Sequence, residues 1–277
     1  LNKEEQFANK SDFPSYLINL DRRPDRLSYC KSKLTFNFER FSAIDGSKLN
    51  NYSNFDDLYN VIEGQHIIPG EMGCKLSHYS LWNNIKEPTL ILEDDIMVNN
   101  TSYNEIKKVF SELGHIQEPW DIIFVGGQWT PNYGINSNCY MDVHKITDKE
   151  INKTFIPIHQ HFYKRNYCYQ NDVFNTPLFR TPAAYIISEQ GAKKIINIIN
   201  QNKTFFMKEP LDMWLLMLER ERKITMLDYF NHPFYQGGFD LMKEECLLKT
   251  DIHRDKKEIF TKSNIKDEFV FIQGKDE

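Results

Sequence analysis

Short apolar runs that stop abruptly at charged or glycine residues are the feature that most restricts how this chain can fold. SYLINL (15–20) follows Pro14 and leads into DRRPDR. TLILEDDIMV (89–98) runs into Glu93, Asp94 and Asp95. DIIFV (121–125) leads into Gly126 and Gly127. Such lengths suit strands buried in a sheet. Between them the apolar period becomes helical. DRRPDRL opens a helix reaching about Leu34, with Pro24 suited to its first turn. FNFERF (36–41) alternates as a half-buried strand does, and AIDGSKL turns at Asp45-Gly46. A short helix is predicted over 56–63. In PGEMGCKLSHYSLWNNI (69–85), Met72, Leu76, Tyr79 and Trp82 recur at helical spacing. Another helix is predicted near 102–113. This β-α-β-α order predicts an α/β sandwich around a mostly parallel sheet.

Strand character resumes in AAYIIS (183–188) and ITMLDYF (224–230). Helical spacing occupies EQGAKKIINII (189–199) and EPLDMWLLMLER (209–220). Residues 128–180 show no clear period and are rich in Asn, Tyr and His, so they read as loops or an insertion over one end of the sheet. From about Lys243 the chain becomes charged. The expected organisation is one domain over 1–277, with a core at about 14–240 and a peripheral charged tail over 241–277.

Composition excludes several classes. Aromatic residues make up 14%, which rules out wholesale disorder. A net charge of −5, from 34 basic and 39 acidic side chains, argues against nucleic acid as the main partner. No apolar run approaches the roughly 18 residues of a membrane span, and LNKEEQFANKSDF has no apolar signal core. The first residue is Leu rather than Met, as in a trimmed or processed chain. The expected location is cytoplasmic or peripheral to a membrane, or an ER-like lumen where an upstream signal has been removed. Five widely spaced cysteines without a CxxC argue against a cysteine-based zinc site and a dense disulfide framework. Free thiols are the simplest reading, with a Cys139–Cys168 bridge as the alternative.

Three segments carry chemistry. Glu93, Asp94 and Asp95 close a hydrophobic strand, and open α/β sheets bind ligands outside the carboxyl ends of their strands. A hard divalent cation would relieve the repulsion of adjacent carboxylates; a solvated acidic turn is the plainer reading. Arg22, Arg23 and Arg26 follow the first strand and could fork onto phosphate, or simply pair with nearby acids. In GEMGCKLSH, Gly70 and Gly73 permit close approach, and Ser77 and His78 lie on the following helix; His78 could equally be an ordinary partly buried residue. HPFYQ and HQH add histidines without metal-ligand spacing. No GxGxxG, phosphate-binding P-loop or GxSxG is present.

The ordered set INLDRRPDR, FSAIDG, PGEMGCKLSHYSLW, LILEDD, FVGG, AAYIIS-x-x-GAKK and PLDMW resembles glycosyltransferase family 25 over about residues 16–236. That family includes bacterial lipooligosaccharide galactosyltransferases and collagen galactosyltransferase domains. The resemblance implies a GT-A-like, Rossmann-related α/β/α sandwich and a UDP-hexose donor, galactose or glucose. It also implies Mn²⁺, with Mg²⁺ as the alternative, and inversion at the anomeric carbon. The implied acceptor is a hydroxyl of a glycan, glycolipid or protein such as a hydroxylysine-bearing, collagen-like chain. Carried over, the nucleotide-sugar contacts are Asn19, Asp21, Arg22, Arg23, Asp45, Gly46, Gly73, Lys75, Ser77 and His78, with Glu93 and Asp94. The metal ligands are Asp94 and Asp95, with His232 of NHPFYQ as a further one.

The P-x-D match points to Asp212 as the base that takes the acceptor proton, with Glu209 in reserve; an isolated Asp there would otherwise read as a helix cap. The helix dipole is expected to favour its ionised form. Residues 128–180 match no family pattern and are expected to meet the acceptor. Two other classes fit parts of the pattern: a non-catalytic carbohydrate-binding protein on a degenerate transferase fold, and a metal-dependent phosphohydrolase.

Overall fold

Successive side chains of a strand face opposite ways, and the strands of this protein use that period to feed two separate cores. The structure, a computed structural model, describes residues 13–51, 69–98, 101–126, 129–130, 155–165, 179–231 and 233–236. The first half contains β1 (Ser15–Asn19), α1 (Pro24–Lys33), β2 (Glu39–Ser42), α2 (Pro69–Trp82), β3 (Thr89–Glu93), β4 (Ile96–Val98), α3 (Ser102–Glu112) and β5 (Ile122–Phe124). The second half contains β6 (Trp129–Thr130), β7 (Phe155–His159), β8 (Phe162–Arg165), β9 (Phe179–Arg180) and β10 (Ala184–Ile187). There follow α4 (Glu189–Gln201), α5 (Lys203–Lys208), α6 (Leu211–Arg220), β11 (Met226–Tyr229) and β12 (Phe234–Gln236). No helix among the described residues is long and apolar enough to cross a membrane. The expected helix over 56–63 and the charged tail over 241–277 lie outside the described residues, as do Cys139 and Cys168.

Eight strands form one sheet in the order β2-β1-β3-β10-β5-β11-β8-β7. Ile18, Ile91, Ile122, Phe124, Tyr185 and Ile187 pack on one face with Met72, Leu76 and Trp82 of α2, Ile195 of α4, Phe206 of α5 and Trp214 of α6. Leu17, Leu90, Leu92, Ile123 and Ile186 face the other way, toward Cys30 of α1 and Ile106 and Val109 of α3. The α/β sandwich expected from the sequence is therefore present, with helices on both faces. Ser188 starts α4 by accepting the backbone N–H of Gly191 at 2.9 Å, satisfying one of the donors a helix start leaves orphaned.

The strand directions are more mixed than a mostly parallel sheet. Three pairings are parallel, β1 with β2, β1 with β3, and β5 with β11; four are antiparallel. The reason is the connection. No crossover helix among the described residues intervenes between β5 and β10, and β10 enters the sheet from the end at which β5 left it. It lies antiparallel to both β3 and β5.

Part of the region expected to be loops is also sheet. Within 128–180, β7 and β8 form a hairpin on the edge beyond β11, turning at Gln160, whose φ is 40°. Pro157 in FIPIH disguises the strand, because proline cannot donate to a ladder. It is tolerated here because β7 is the sheet edge, and the pairing shifts register between Pro157 and His159. Short strands β6 and β9 pair with each other across the same region.

The turn after β2 lies directly on the start of α2. A Cβ on Gly73 would meet the carbonyl oxygen of Ile44 and lie 2.7 Å from the backbone nitrogen of Gly46. Both obstacles are backbone and cannot swing aside. Gly73→Ala should therefore destabilise the fold by more than about 2 kcal/mol, read as a lower urea midpoint. An unchanged midpoint would mean that the two segments can separate freely.

Candidate active site at the carboxyl ends of β1 and β3

A cleft opens where β1, the β2–turn segment and β3 end against the first half of α2. Ile18, Leu20, Ala43 and Ile44 form its apolar wall; Arg22, Arg26, Glu93, Asp94 and Asp95 supply charge; Gly46 of the turn after β2 and Gly70, Cys74, Ser77 and His78 of α2 close it. This is where an open α/β sheet places its ligand. Four of the seven sequence segments that carry the resemblance, INLDRR, AIDG, GCKLSH and ILEDD, meet here.

The acidic motif divides by position. β3 ends at Glu93, and the chain turns at Asp94 and Asp95 before pairing again as β4 with β12. Asp94 is buried. Its Oδ1 accepts from Arg26 Nη1 at 2.7 Å and its Oδ2 from Asn19 Nδ2 at 2.7 Å. Burial holds the Asp94 carboxyl above its ordinary value, against the pull of Arg26 and Asn19. Asn19 also donates to the carbonyl of Arg23 and accepts from Arg40 Nε at 2.9 Å. Glu93, Asp94 and Asp95 all line the cleft, Asp94 with both oxygens already engaged.

The arginines pair with acids. Arg26 meets Asp94, Arg23 meets Asp25 at 2.8 Å, and Arg22 meets Asp45 at 3.1 Å. Arg22 alone of the three is substantially exposed, at 38% of its side chain, while also lining the cleft. Asp45 further accepts from the backbone N–H and hydroxyl of Ser47, which holds the turn. Asp21 is exposed and ties Arg40 to Ser42.

A buried chain of hydrogen bonds backs the cleft. Trp82 Nε1 donates to the Tyr185 hydroxyl at 2.8 Å, and that oxygen lies 2.7 Å from His78 Nδ1. His78 Nε2 lies 3.0 Å from Glu93 Oε1, and Cys74 Sγ donates to the same oxygen at 3.6 Å. With Trp82 as donor, the tyrosine proton is available to Nδ1; the ring then carries its proton on Nε2 and donates it to Glu93. Burial pushes the Tyr185 phenol well up, and the Cys74 thiol likewise, with the Glu93 carboxylate adding to both. Cys74, His78 and Glu93 each offer a ligand atom within 4.8 Å of the others. Tyr185 had no sequence signal beyond its place in AAYIIS, and Trp82 showed only as part of the helical period of α2, not as a partner of His78.

The remaining expected residues separate. Ser77 accepts from the backbone of Ile44 at 2.8 Å and donates to the carbonyl of Gly73, so it clasps α2 to the turn. Lys75 is not brought to the cleft: it is buried, and its Nζ donates to the carbonyl of Met207 at 2.7 Å. Burial lowers it to about 8. Asp212 is the second residue of α6, and Pro210, not Asp212, occupies the cap position. Its Oδ1 accepts from the N–H of Met213 at 2.8 Å. Burial pushes Asp212 up to about 7, the backbone N–H groups oppose this, and Glu93 and Glu71 add to it. Burial and like charge thus outweigh the helix-terminal field. Glu209 stands at the carboxyl end of α5, half-buried. His232 lies outside the described residues.

The carboxyl ends of strands are where α/β sheets place small ligands. The family model for glycosyltransferase family 25 (LPS biosynthesis protein) matches residues 13–215, and the chain belongs to that family, whose class is the sugar transferases. Procollagen galactosyltransferase 2 of Homo sapiens is 27% identical over 136 residues, 44% of this chain and 22% of that protein. A glycosyltransferase 25 family member of Aedes aegypti is 33% identical over 129 residues, 40% and 20%. The probable inactive glycosyltransferase 25 family member 3 of Bos taurus is 28% identical over 128 residues, 40% and 21%. The matches span about a fifth of the length of these relatives. Among solved structures, apo mouse xyloside xylosyltransferase 1 aligns with a TM-score of 0.40 at 9% identity, over 85% of this chain and 90% of that one.

The Asp212 environment has a stability consequence. A carboxyl raised from about 3.9 in the unfolded chain to about 7 in the folded one favours folding fully below the lower value, and that contribution is lost as pH rises through the higher one. Asn at this position mimics the neutral acid at every pH. Asp212→Asn should therefore gain on the parent between about pH 4 and pH 8, by more than about 1 kcal/mol in urea unfolding. A stability difference that stays flat across that range would show that Asp212 is ionised without cost.

Proposed function

We propose that this protein transfers a hexose, galactose or glucose, from a UDP-hexose to an acceptor hydroxyl with inversion, in a reaction that depends on a divalent cation. The observation that carries this reading is the meeting of the INLDRR, AIDG, GCKLSH and ILEDD residues around one cleft. The galactosyltransferase names of several relatives favour galactose, and the description of the family favours a glycan or glycolipid acceptor. A hydroxylated protein chain is the alternative acceptor.

The donor set fits Mn²⁺ or Mg²⁺ in part. Carboxylate oxygens suit such ions, and those of Glu93 and Asp95 border the cleft. Both oxygens of Asp94 are already engaged, so this reading gives Asp94 the task of holding the turn. Glu93 and Asp95 would hold the cation. When bound, the cation supplies positive charge to the diphosphate as it leaves. Arg22 at the cleft mouth adds a second positive group, and the apolar wall of Ile18, Ala43 and Ile44 receives the uracil and ribose. His78, fixed by Tyr185, orients Glu93.

Asp212 takes the acceptor proton. A carboxyl near 7 is balanced for that task, since it is partly ionised at neutral pH and basic enough to accept. The name of the bovine relative favours a second reading, a carbohydrate-binding protein that has lost transfer.

UDP release from UDP-galactose and UDP-glucose, with Mn²⁺ or with a chelator, tests the reading. Release that needs the cation is expected; UDP-sugar binding without turnover would favour the binding protein. By calorimetry, Asp95→Asn should weaken Mn²⁺-dependent UDP binding at least tenfold, about 1.4 kcal/mol, and unchanged affinity would remove Asp95 from the cation site. Asp212→Asn should keep UDP binding but lose roughly 10²-fold in turnover. The parent rate should rise with pH through about 7. Transfer by Asp212→Asn near the parent rate would place the base elsewhere.

A further inference from the structure

The HQH segment has no metal-ligand spacing by itself, but the fold brings one of its histidines to a second pair of ligands. Glu112 is the last residue of α3, and His115 ends the single 3-10 turn that follows. His159 ends β7, at the tip of the edge hairpin. Glu112 Oε2 lies 2.8 Å from His159 Nε2 and 3.4 Å from His115 Nδ1, and all three donor atoms lie within 4.8 Å of one another. Donors around a tetrahedral zinc, at metal distances near 2.0–2.1 Å, stand about 3.3 Å apart. The cluster is thus close to coordination spacing with the backbone as it stands.

The surroundings hold the ligands in place. The His159 ring stacks on Phe162, with centroids 6.2 Å apart and planes 23° from parallel, and lies 6.1 Å from the His115 ring. The side-chain amide of Gln160 approaches Glu112 Oε2 at 3.5 Å. Only His115 is widely exposed, at 68% of its side chain, against 20% for Glu112 and 27% for His159. That leaves an open approach for an ion and a water. None of the three residues lines the cleft.

We propose that Glu112, His115 and His159 bind a first-row divalent cation of the zinc class, with water in the fourth position. Two imidazoles and one carboxylate suit Zn²⁺, Co²⁺, Ni²⁺ or Cu²⁺ rather than Mg²⁺ or Ca²⁺. The bound ion joins the carboxyl end of α3 to the β7–β8 hairpin and so fastens the outer edge of the sheet. This site is independent of the cation proposed for the cleft. No group is transferred, and binding needs only that both imidazoles be neutral and Glu112 ionised.

The test uses the full chain and ZnCl₂, followed through the histidine ring signals in NMR and through thermal unfolding. One equivalent of Zn²⁺ should shift the His115 and His159 ring signals together and raise the melting temperature. His115→Ala, an exposed position that should fold normally, and His159→Ala should each weaken this binding at least tenfold and remove the thermal gain. Asp95→Asn should leave it unchanged. If stoichiometric Zn²⁺ leaves both ring signals unmoved, or moves only that of His78 in the cleft, the three residues form hydrogen bonds alone and the proposal fails. It fails equally if the His115→Ala/His159→Ala double variant binds with parental affinity.

Discussion

The buried contact of Asp94 with Arg26 and Asn19 governs the rest of the site. Asp94 follows the last residue of β3, Asn19 is the last residue of β1, and Arg26 projects from α1. One carboxylate therefore fixes the ends of two parallel strands against a helix. A buried charge that loses its partner costs about 3–5 kcal/mol, so these three residues must be read as a unit. Because both Asp94 oxygens are occupied, the turn it anchors presents Glu93 and Asp95 to the cleft in a set orientation. Asn19 extends the same junction to Arg40 and, through it, to Asp21 on the surface.

On the opposite wall, packing and hydrogen bonding serve one end. Gly46 and Gly73 let the turn after β2 approach α2 backbone to backbone, and Ser77 fastens the same contact. This close approach delivers Cys74 and His78 to Glu93. Trp82 and Tyr185 then hold the imidazole from behind, in a fully buried layer where an unmade hydrogen bond would be costly. Asp212 belongs to this electrostatic neighbourhood although it comes from α6. The carboxylates of Glu93 and Glu71 raise it together with burial.

Much of this was legible in local pattern. Apolar runs of strand length located β1, β3, β5, β10 and β11, and the helical period of Met72, Leu76, Tyr79 and Trp82 located α2 to within a few residues. The ends of those runs located the cleft, because charge cannot continue a buried strand. The hairpin β7–β8 escaped because Pro157 and a register shift break its alternation, and its histidines escaped as a cluster because their partner, Glu112, lies 47 residues away.

The sequence by itself determined the order of the central strands and their helices and the position of the acidic turn, since both follow from short-range periodicity and the cost of burying charge. Tertiary structure alone decided what depends on partners distant in the chain. It reversed β10 between β3 and β5, engaged both oxygens of Asp94 with Arg26 and Asn19 at the cleft wall, and turned Lys75 toward Met207. It also set the Asp212 carboxyl against the helix field. Desolvation and neighbouring charge are properties of packing, and no local period of residues encodes them.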